Sequence, residues 1–332
     1  MPQVQRLTNN TGIPLSVAVW LATDPYDYVD DPNYISVTTL LKSPRQIVLG
    51  RRMPLQPQEA QDIAGSMARA LGNAVHGNIE SSWLNHYKDT LVRLGYRPGI
   101  IDRIKINPEP EDLTPGDIPI YMERRAFQTV GKYTIGGKFD FVGDGTLDDF
   151  KTTGVFSYMS GSNEWKYKMQ GSMYRWLNPE IITSDHMNIQ FIFTDWSKRD
   201  SIIQKAKGYP ATRIFQHKVP LLSVAETDVW VRDKLALIES LESTPEPELP
   251  LCGAEDLWQD APTYKYYKNP LKKLKSTANF ATSAEATIRW IEDGRVGEVV
   301  EVAGTTKGCL YCDCFQLCTQ KDQLIASGSL KV

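Results

Sequence analysis

The chain has 332 residues, with 37 Lys+Arg against 40 Asp+Glu and a net charge of −3. Hydrophobic residues at 41 % and aromatics at 10 % are enough for a core, which excludes a wholly disordered chain. The run Leu15–Ala22 is too short to span a bilayer, and the opening MPQVQRLTNN lacks the apolar stretch of a signal peptide. A soluble, cytoplasmic protein with no membrane partner is expected, and the length suggests about two domains.

In chain order, residues 35–41 (ISVTTLL) read as a strand or a strand-to-helix entry. A long helix is predicted over about 60–95, where Leu71, Val75, Ile79 and Trp83 recur at four-residue spacing. Five prolines between positions 98 and 119 then read as a loop. Residues 133–142 alternate loosely, Gly143-Asp144-Gly145 makes a turn, and residues 146–152 return, a hairpin signature. Ser162 is placed to cap a helix reaching about 178, buried through Trp165, Met169, Met173 and Leu177. Strands are predicted over 187–194 and 213–219, and a helix over 224–242. Residues 244–250 (TPEPELP) read as a linker between a domain of residues 1–243 and a module of residues 251–332. The order helix, hairpin, helix, strand predicts an α/β core, a mixed central sheet flanked by helices.

The hairpin carries the chemistry. Successive strand side chains point to opposite faces. Phe139 and Phe141 then share one face and Asp140 takes the other, while Asp149 and Lys151 share a face opposite Phe150. With the three Phe rings in the core, Asp140, Asp149 and Lys151 converge on the other surface, and Asp148 falls on the core side. Two close carboxylates repel when ionised, and a hard cation, Mg²⁺ or Mn²⁺, removes the conflict. A lysine beside them supplies positive charge where a phosphate or attacking water sits. That suits metal-assisted phosphodiester cleavage; the alternative is a surface hairpin with scattered charges.

His76 and Glu80 lie four apart on the long helix, on one face beside its apolar stripe. They are a candidate metal ligand and a candidate holder of metal-bound water. Gln170 and Tyr174, also four apart, follow Lys166 by a turn and are placed to meet a phosphate backbone or orient the lysine. An ordinary polar helix face is the alternative there.

All five cysteines lie from position 252 onward, as Cys252, Cys309, Cys312, Cys314 and Cys318. Four thiolates hold zinc or a 4Fe–4S cluster. Between them, Tyr264-Lys265-Tyr266-Tyr267-Lys268 followed by Lys272, Lys273 and Lys275 suits a nucleic-acid backbone with stacked bases; a solvated charged helix is the alternative. The stretch 131–138 resembles a P-loop, but its spacing is off and Phe139 replaces the required Ser/Thr, so any motor is a separate chain.

Gly136-Gly137-Lys138-Phe139-Asp140, then Leu147-Asp148-Asp149-Phe150-Lys151-Thr152-Thr153, then Gln170-Gly171-Ser172-Met173-Tyr174 resemble the PD-(D/E)xK nuclease superfamily. They are most similar to its RecB-like branch, which includes the AddB nuclease domain, the CRISPR-adaptation nucleases and many phage exonucleases. That branch carries a helix His, a GxxD-type Asp, a D/E-x-K pair and a QxxxY helix in this order. The resemblance covers about residues 35–195, and Phe139 stands where the superfamily's name has proline.

The resemblance implies a restriction-endonuclease-like core. It implies that His76, Asp140, Asp149 and the Phe150 carbonyl bind the metal, and that Lys151 positions the water and stabilises developing charge. Gln170 and Tyr174 then support the site and the DNA strand, while Glu80 is added from helix geometry alone. One distant Cys plus C-x₂-C-x₅-C resembles the branch's iron–sulfur staple, which assigns Cys252, Cys309, Cys312 and Cys318 to a 4Fe–4S cluster, with zinc as the alternative and Cys314 spare. In the branch the distant Cys precedes the nuclease motifs, whereas Cys252 follows them, so the staple would fold the C-terminal module on itself. The function implied is a metal-dependent DNase, a phage-type exonuclease of recombination or DNA processing. Its partners would be DNA and a separate helicase, recombinase or single-strand-annealing protein. The alternatives are a restriction-like endonuclease and a non-catalytic, metal-stapled DNA-binding or assembly protein.

Overall fold

The computed structural model describes residues 7–53 and 61–332. In chain order the first elements are β1 (Leu7–Thr8), α1 (Leu15–Ala22), β2 (Tyr34–Ser36), α2 (Val37–Leu40), α3 (Pro44–Arg52), β3 (Gln61–Asp62), α4 (Met67–Arg93) and α5 (Pro98–Ile101). Then come β4 (Ile104–Ile106), β5 (Ile118–Met122), β6 (Arg125–Val130), β7 (Tyr133–Lys138), β8 (Phe141–Gly143), β9 (Thr146–Thr153), α6 (Val155–Met159), α7 (Glu164–Leu177), β10 (His186–Phe193), α8 (Lys198–Ile203) and β11 (Ile214–Pro220). The last are α9 (Val224–Leu241), β12 (Thr263–Tyr267), β13 (Ala278–Phe280), α10 (Ser283–Glu292), β14 (Glu298–Val302) and α11 (Thr319–Ala326). Of the described residues, 7–41 and 61–234 form one unit, and 42–53 and 235–332 a second.

The first unit is built on a mixed six-stranded sheet in the order β11-β10-β9-β8-β5-β4. Two of its pairings, β10–β9 and β5–β4, are parallel, and the rest are antiparallel. Helices flank it. On one face Trp83 and Tyr87 of α4 pack with Leu91, Ile101, Ile104, Ile120, Met122, Phe141 and Phe150. Phe150 and Asp149 are neighbours on β9 and so point to opposite faces; Asp149 meets Gln170 of α7 on the other. There Met169 and Met173 are fully buried, each worth roughly 1.5–3 kcal/mol of apolar burial. Gly171 brings α7 close to β10, since a Cβ at that position would lie 2.2 Å from Met187 Sδ.

The hairpin turns through Asp144 and Gly145, both at positive φ (48° and 77°), as two-residue connections require. Upstream the expected continuous strand is broken. The chain leaves a small sheet, β2-β7-β6, at Lys138, passes Phe139 and Asp140, and enters the central sheet as β8. Its partner changes sheets at the same level, between β5 and β6. Glu123 N–H donates to Asp140 O at 3.1 Å, and Phe139 N–H donates to Arg124 O at 3.3 Å. Glu123 itself sits at φ 50°, uncommon for a residue other than glycine.

Several expected elements shift. The long helix α4 begins at Met67; residue 60 lies outside the described residues. The proline-rich loop contains β4 and β5, two strands too short to show a period. Asn163, not Ser162, precedes α7, and the Ser162 hydroxyl instead meets Ser160 Oγ at 2.9 Å. Trp165 is 48 % exposed, so the buried side of α7 runs through Met169, Met173, Tyr174 and Trp176.

The second unit contains a three-stranded antiparallel sheet, β13-β12-β14, and all five cysteines. The Tyr/Lys-rich stretch, weighed as a charged helix or a base-stacking patch, is the central strand β12. Tyr266 is fully buried, with its hydroxyl donating to Val296 O at 2.8 Å, so its ring is core. Lys273 pairs with Glu298 at 2.6 Å. The stretch 244–250 is tied into this unit: Leu249 is buried and Glu246 pairs with Arg45. Among the described residues no helix is long and apolar enough to cross a membrane.

Candidate functional site

Asp149 is the most enclosed of the expected residues, at 2 % exposure on β9. Its Oδ1 accepts from Gln170 Nε2 at 3.0 Å, and its Oδ2 lies 2.6 Å from Lys151 Nζ. Lys151 is thus the partner of Oδ2, which is buried and takes no other hydrogen bond among the described residues. Gln170 also donates to Tyr174 Oη at 3.2 Å. The buried Tyr174 ring explains part of the glycine pair on β7, because a Cβ on Gly137 would lie 2.7 Å from it.

Burial pushes the Asp149 carboxyl up to about 6; Lys151 opposes the shift and Asp140 adds to it. Burial works against the Lys151 charge, but Asp149 and Asp140 outweigh it and hold the ammonium above the ordinary lysine range. The Tyr167 ring lies under it, 5.9 Å from Nζ.

The peptide between Asp149 and Lys151 is held at both ends. Phe150 N–H donates to Asp140 Oδ2 at 2.9 Å, and Phe150 O is 3.0 Å from His76 Nε2. His76 Nδ1 in turn lies 3.5 Å from Asp140 Oδ1. Burial lowers the His76 pKa, but Asp140 and the Phe150 carbonyl more than offset it, so the imidazole is raised.

A residue absent from the sequence reading joins this group. His76, Glu123 and Asp140 each offer a ligand atom, and these atoms all lie within 4.8 Å of one another. Burial raises the Glu123 carboxyl despite Lys138 at 2.5 Å. Glu123 sits beside Asp140 because the β5–β8 pairing continues past Met122 and Phe141. Glu80 adds negative charge that pushes Glu123 further up, but neither Glu80 nor Asp149, whose oxygens are engaged by Gln170 and Lys151, contributes a ligand atom to the three-residue group. Asp148, on the face opposite Asp149, accepts from Asn188 Nδ2 at 2.8 Å, which satisfies it there.

The donor set is carboxylates, one carbonyl and one imidazole, which suits Mg²⁺ or Mn²⁺. The 3.0 Å between His76 Nε2 and Phe150 O is a hydrogen-bond distance, so the imidazole and the carbonyl are side by side on one edge of the group.

No family model matches the chain, and neither does any curated protein. Among solved structures, one described as SSO0001 is similar at 17 % identity and a TM-score of 0.38, over 66 % of this chain and 81 % of that one. A phage related exonuclease from Haemophilus somnus 129PT is similar at 12 % identity and a TM-score of 0.28, over 63 % of this chain and 93 % of that one. Likenesses this distant do not bear on what the chain does.

In the second unit Cys252, Cys309, Cys312, Cys314 and Cys318 line one pocket, and none is in a disulfide. Gly308 brings Cys309 to the wall, since a Cβ there would lie 2.5 Å from Asp256 O. Cys314 is buried and its thiol donates to Gln46 O at 3.4 Å. A hydrogen bond from Cys314 lowers the Cys312 thiol to about 6. Together these thiols make a soft donor set of the kind that zinc or an iron–sulfur cluster takes.

Proposed function

We propose that the chain is a divalent-metal-dependent nuclease of the PD-(D/E)xK type, acting on DNA as an exonuclease. The observation that carries this reading is the clasped Phe150 peptide. Its N–H is held by Asp140 and its oxygen by His76, while the flanking Asp149 and Lys151 are paired on the other face. A surface hairpin with scattered charges has no reason to bury one carboxylate, pin it with a glutamine and aim a lysine at it.

His76, Glu123, Asp140, Asp149 and the Phe150 carbonyl are the residues that would hold the cation. When bound, Mg²⁺ or Mn²⁺ activates water and offsets charge on the phosphoryl group. Gln170, anchored on Tyr174, fixes the rotamer of Asp149. Lys151 keeps its proton at Nζ and offers it as a hydrogen bond to the attacking water or a non-bridging phosphate oxygen. Asp140 holds the Phe150 peptide and so sets where the carbonyl points.

The test is cleavage of linear and covalently closed circular DNA by the purified chain in Mg²⁺ or Mn²⁺. Loss of linear DNA alone supports the exonuclease. Cutting of sealed circles would move the reading to an endonuclease on the same residues, and no cutting of either would remove the nuclease.

We further propose that Cys252, Cys309, Cys312 and Cys318 hold a 4Fe–4S cluster with a structural role. The soft four-thiol donor set gathered on one pocket supports it. Iron and sulfide analysis of anaerobically purified protein tests this; one stoichiometric zinc would replace the cluster.

A further inference from the structure

Arg45 on α3 is 1 % exposed, and a buried guanidinium is costly unless its donors are satisfied. Its terminal nitrogens are accounted for by protein oxygens. One donates to Leu249 O at 3.0 Å, and the other pairs with the Glu246 carboxylate. Glu246 is itself fixed by Thr319, through the backbone N–H at 2.9 Å and the hydroxyl at 3.1 Å. The remaining donor is directed at sulfur: Arg45 Nε lies 3.2 Å from Cys318 Sγ. A neutral thiol is a weak acceptor, whereas a thiolate takes a charge-assisted bond.

The rest of the turn repeats the pattern. Ser43 and Gln46 form the capping box of α3, and both also face cysteines. Ser43 Oγ is 3.1 Å from Cys252 Sγ, and Gln46 Nε2 is 3.7 Å from Cys312 Sγ. One helical turn, 206 positions or more ahead of the first cysteine in sequence, therefore meets three of the four assigned to the cluster.

We propose that Arg45 is a positioning residue for metal-bound Cys318. Its Nε–H donates to the sulfur and offsets the negative charge of a four-thiolate group. This rests on the reading of the cysteine pocket as a metal site. It also makes residues 43–46 part of that site, so loading depends on α3 as well as on the C-terminal cysteines.

The experiment compares wild-type protein with R45K, R45Q and E246Q, all purified anaerobically. Metal and sulfide analysis of the wild type comes first; if it holds neither iron nor zinc, the metal-site reading fails and the proposal falls with it. R45K keeps a cation opposite Glu246 but places no N–H at the Nε position. R45K is expected to shift the sulfur-to-metal charge-transfer band and to lose metal to a chelator on the order of 10–100-fold faster, with R45Q at least as fast. If the metal is zinc, the band is read after cobalt(II) substitution. E246Q is expected to lower the melting temperature and leave the band in place. A wild-type band and rate in R45K would overturn the proposal, whether or not R45Q folds.

Discussion

His76 Nε2 lies 3.0 Å from the carbonyl oxygen of Phe150, the residue between Asp149 and Lys151. A helix residue thus addresses the backbone of β9, while the flanking Asp149 and Lys151 side chains turn toward α7. Backbone N–H and C=O groups lie in the plane of a sheet, and β8 pairs with β9 only as far as Asp148, which leaves those of Phe150 open to Asp140 and His76.

His76→Ala should therefore weaken use of the cation more than binding of DNA. The expected change is a 10–100-fold rise in the Mn²⁺ concentration for half-maximal cleavage, on the order seen when a ligand's supporting contacts are lost. DNA affinity in Ca²⁺, measured by anisotropy, should stay near wild type. Equal loss in both would assign His76 to DNA contact.

Glu123 and Glu80 can be separated directly. Glu123 is within ligand distance of His76 and Asp140, and Glu80 is not part of that group. Glu123→Gln should raise the Mn²⁺ requirement about tenfold or more, and Glu80→Gln by far less. The reverse ranking in a calorimetric Mn²⁺ titration would restore the helix-based assignment.

Lys151→Ala removes the counter-charge of a buried carboxylate. Breaking a buried pair in this way costs about 3–5 kcal/mol while the remaining group stays ionised. Asp149, raised to about 6 before the change, escapes part of that cost by protonating. The variant should thus be markedly destabilised in urea at pH 8 and closer to wild type at pH 5. Asp149→Asn keeps shape but leaves the Lys151 ammonium without that counter-charge, so it too should be destabilised while losing cleavage.

The pH dependence in EDTA follows from the same carboxyl. Its pKa in the folded chain, about 6, lies above its ordinary 3.8, so the folded state binds more protons between those values. Its contribution to stability is full below pH 3.8 and is lost as pH rises through about 6. The stability of wild type relative to Asp149→Asn should fall across that window and level off above it. Excess Mn²⁺ should stabilise the wild type more as pH rises, because the cation competes with that proton. A flat difference from pH 4 to 7 would mean that Asp149 is not raised.

The parts that could be read from sequence are those with a local period. The Asp149-Phe150-Lys151 spacing, the four-residue step from Gln170 to Tyr174 and the apolar runs of α7 and β10 each reflect one element's geometry. What could not be read depends on pairing between distant segments. Glu123 reaches the site only because β5 runs beside β8, and β5 hides among prolines. The change of sheet at Phe139-Asp140 has no local signal, and neither does the meeting of Arg45 with Cys318, 273 positions apart. Tyr266 looked like a stacking platform because a strand of alternating Tyr and Lys shows its polar half as plainly as its buried one.

The most direct measurement is single-turnover cleavage of end-labelled linear DNA by the wild type and Asp149→Asn, with Mn²⁺ and with EDTA. The expected result is cleavage by the wild type in Mn²⁺ alone, reduced at least ~10³-fold by the substitution, the scale of losing an essential charge-stabilising group. Wild-type rates in Asp149→Asn, or undiminished cleavage in EDTA, would contradict a metal-dependent centre built on Asp140, Asp149 and Lys151.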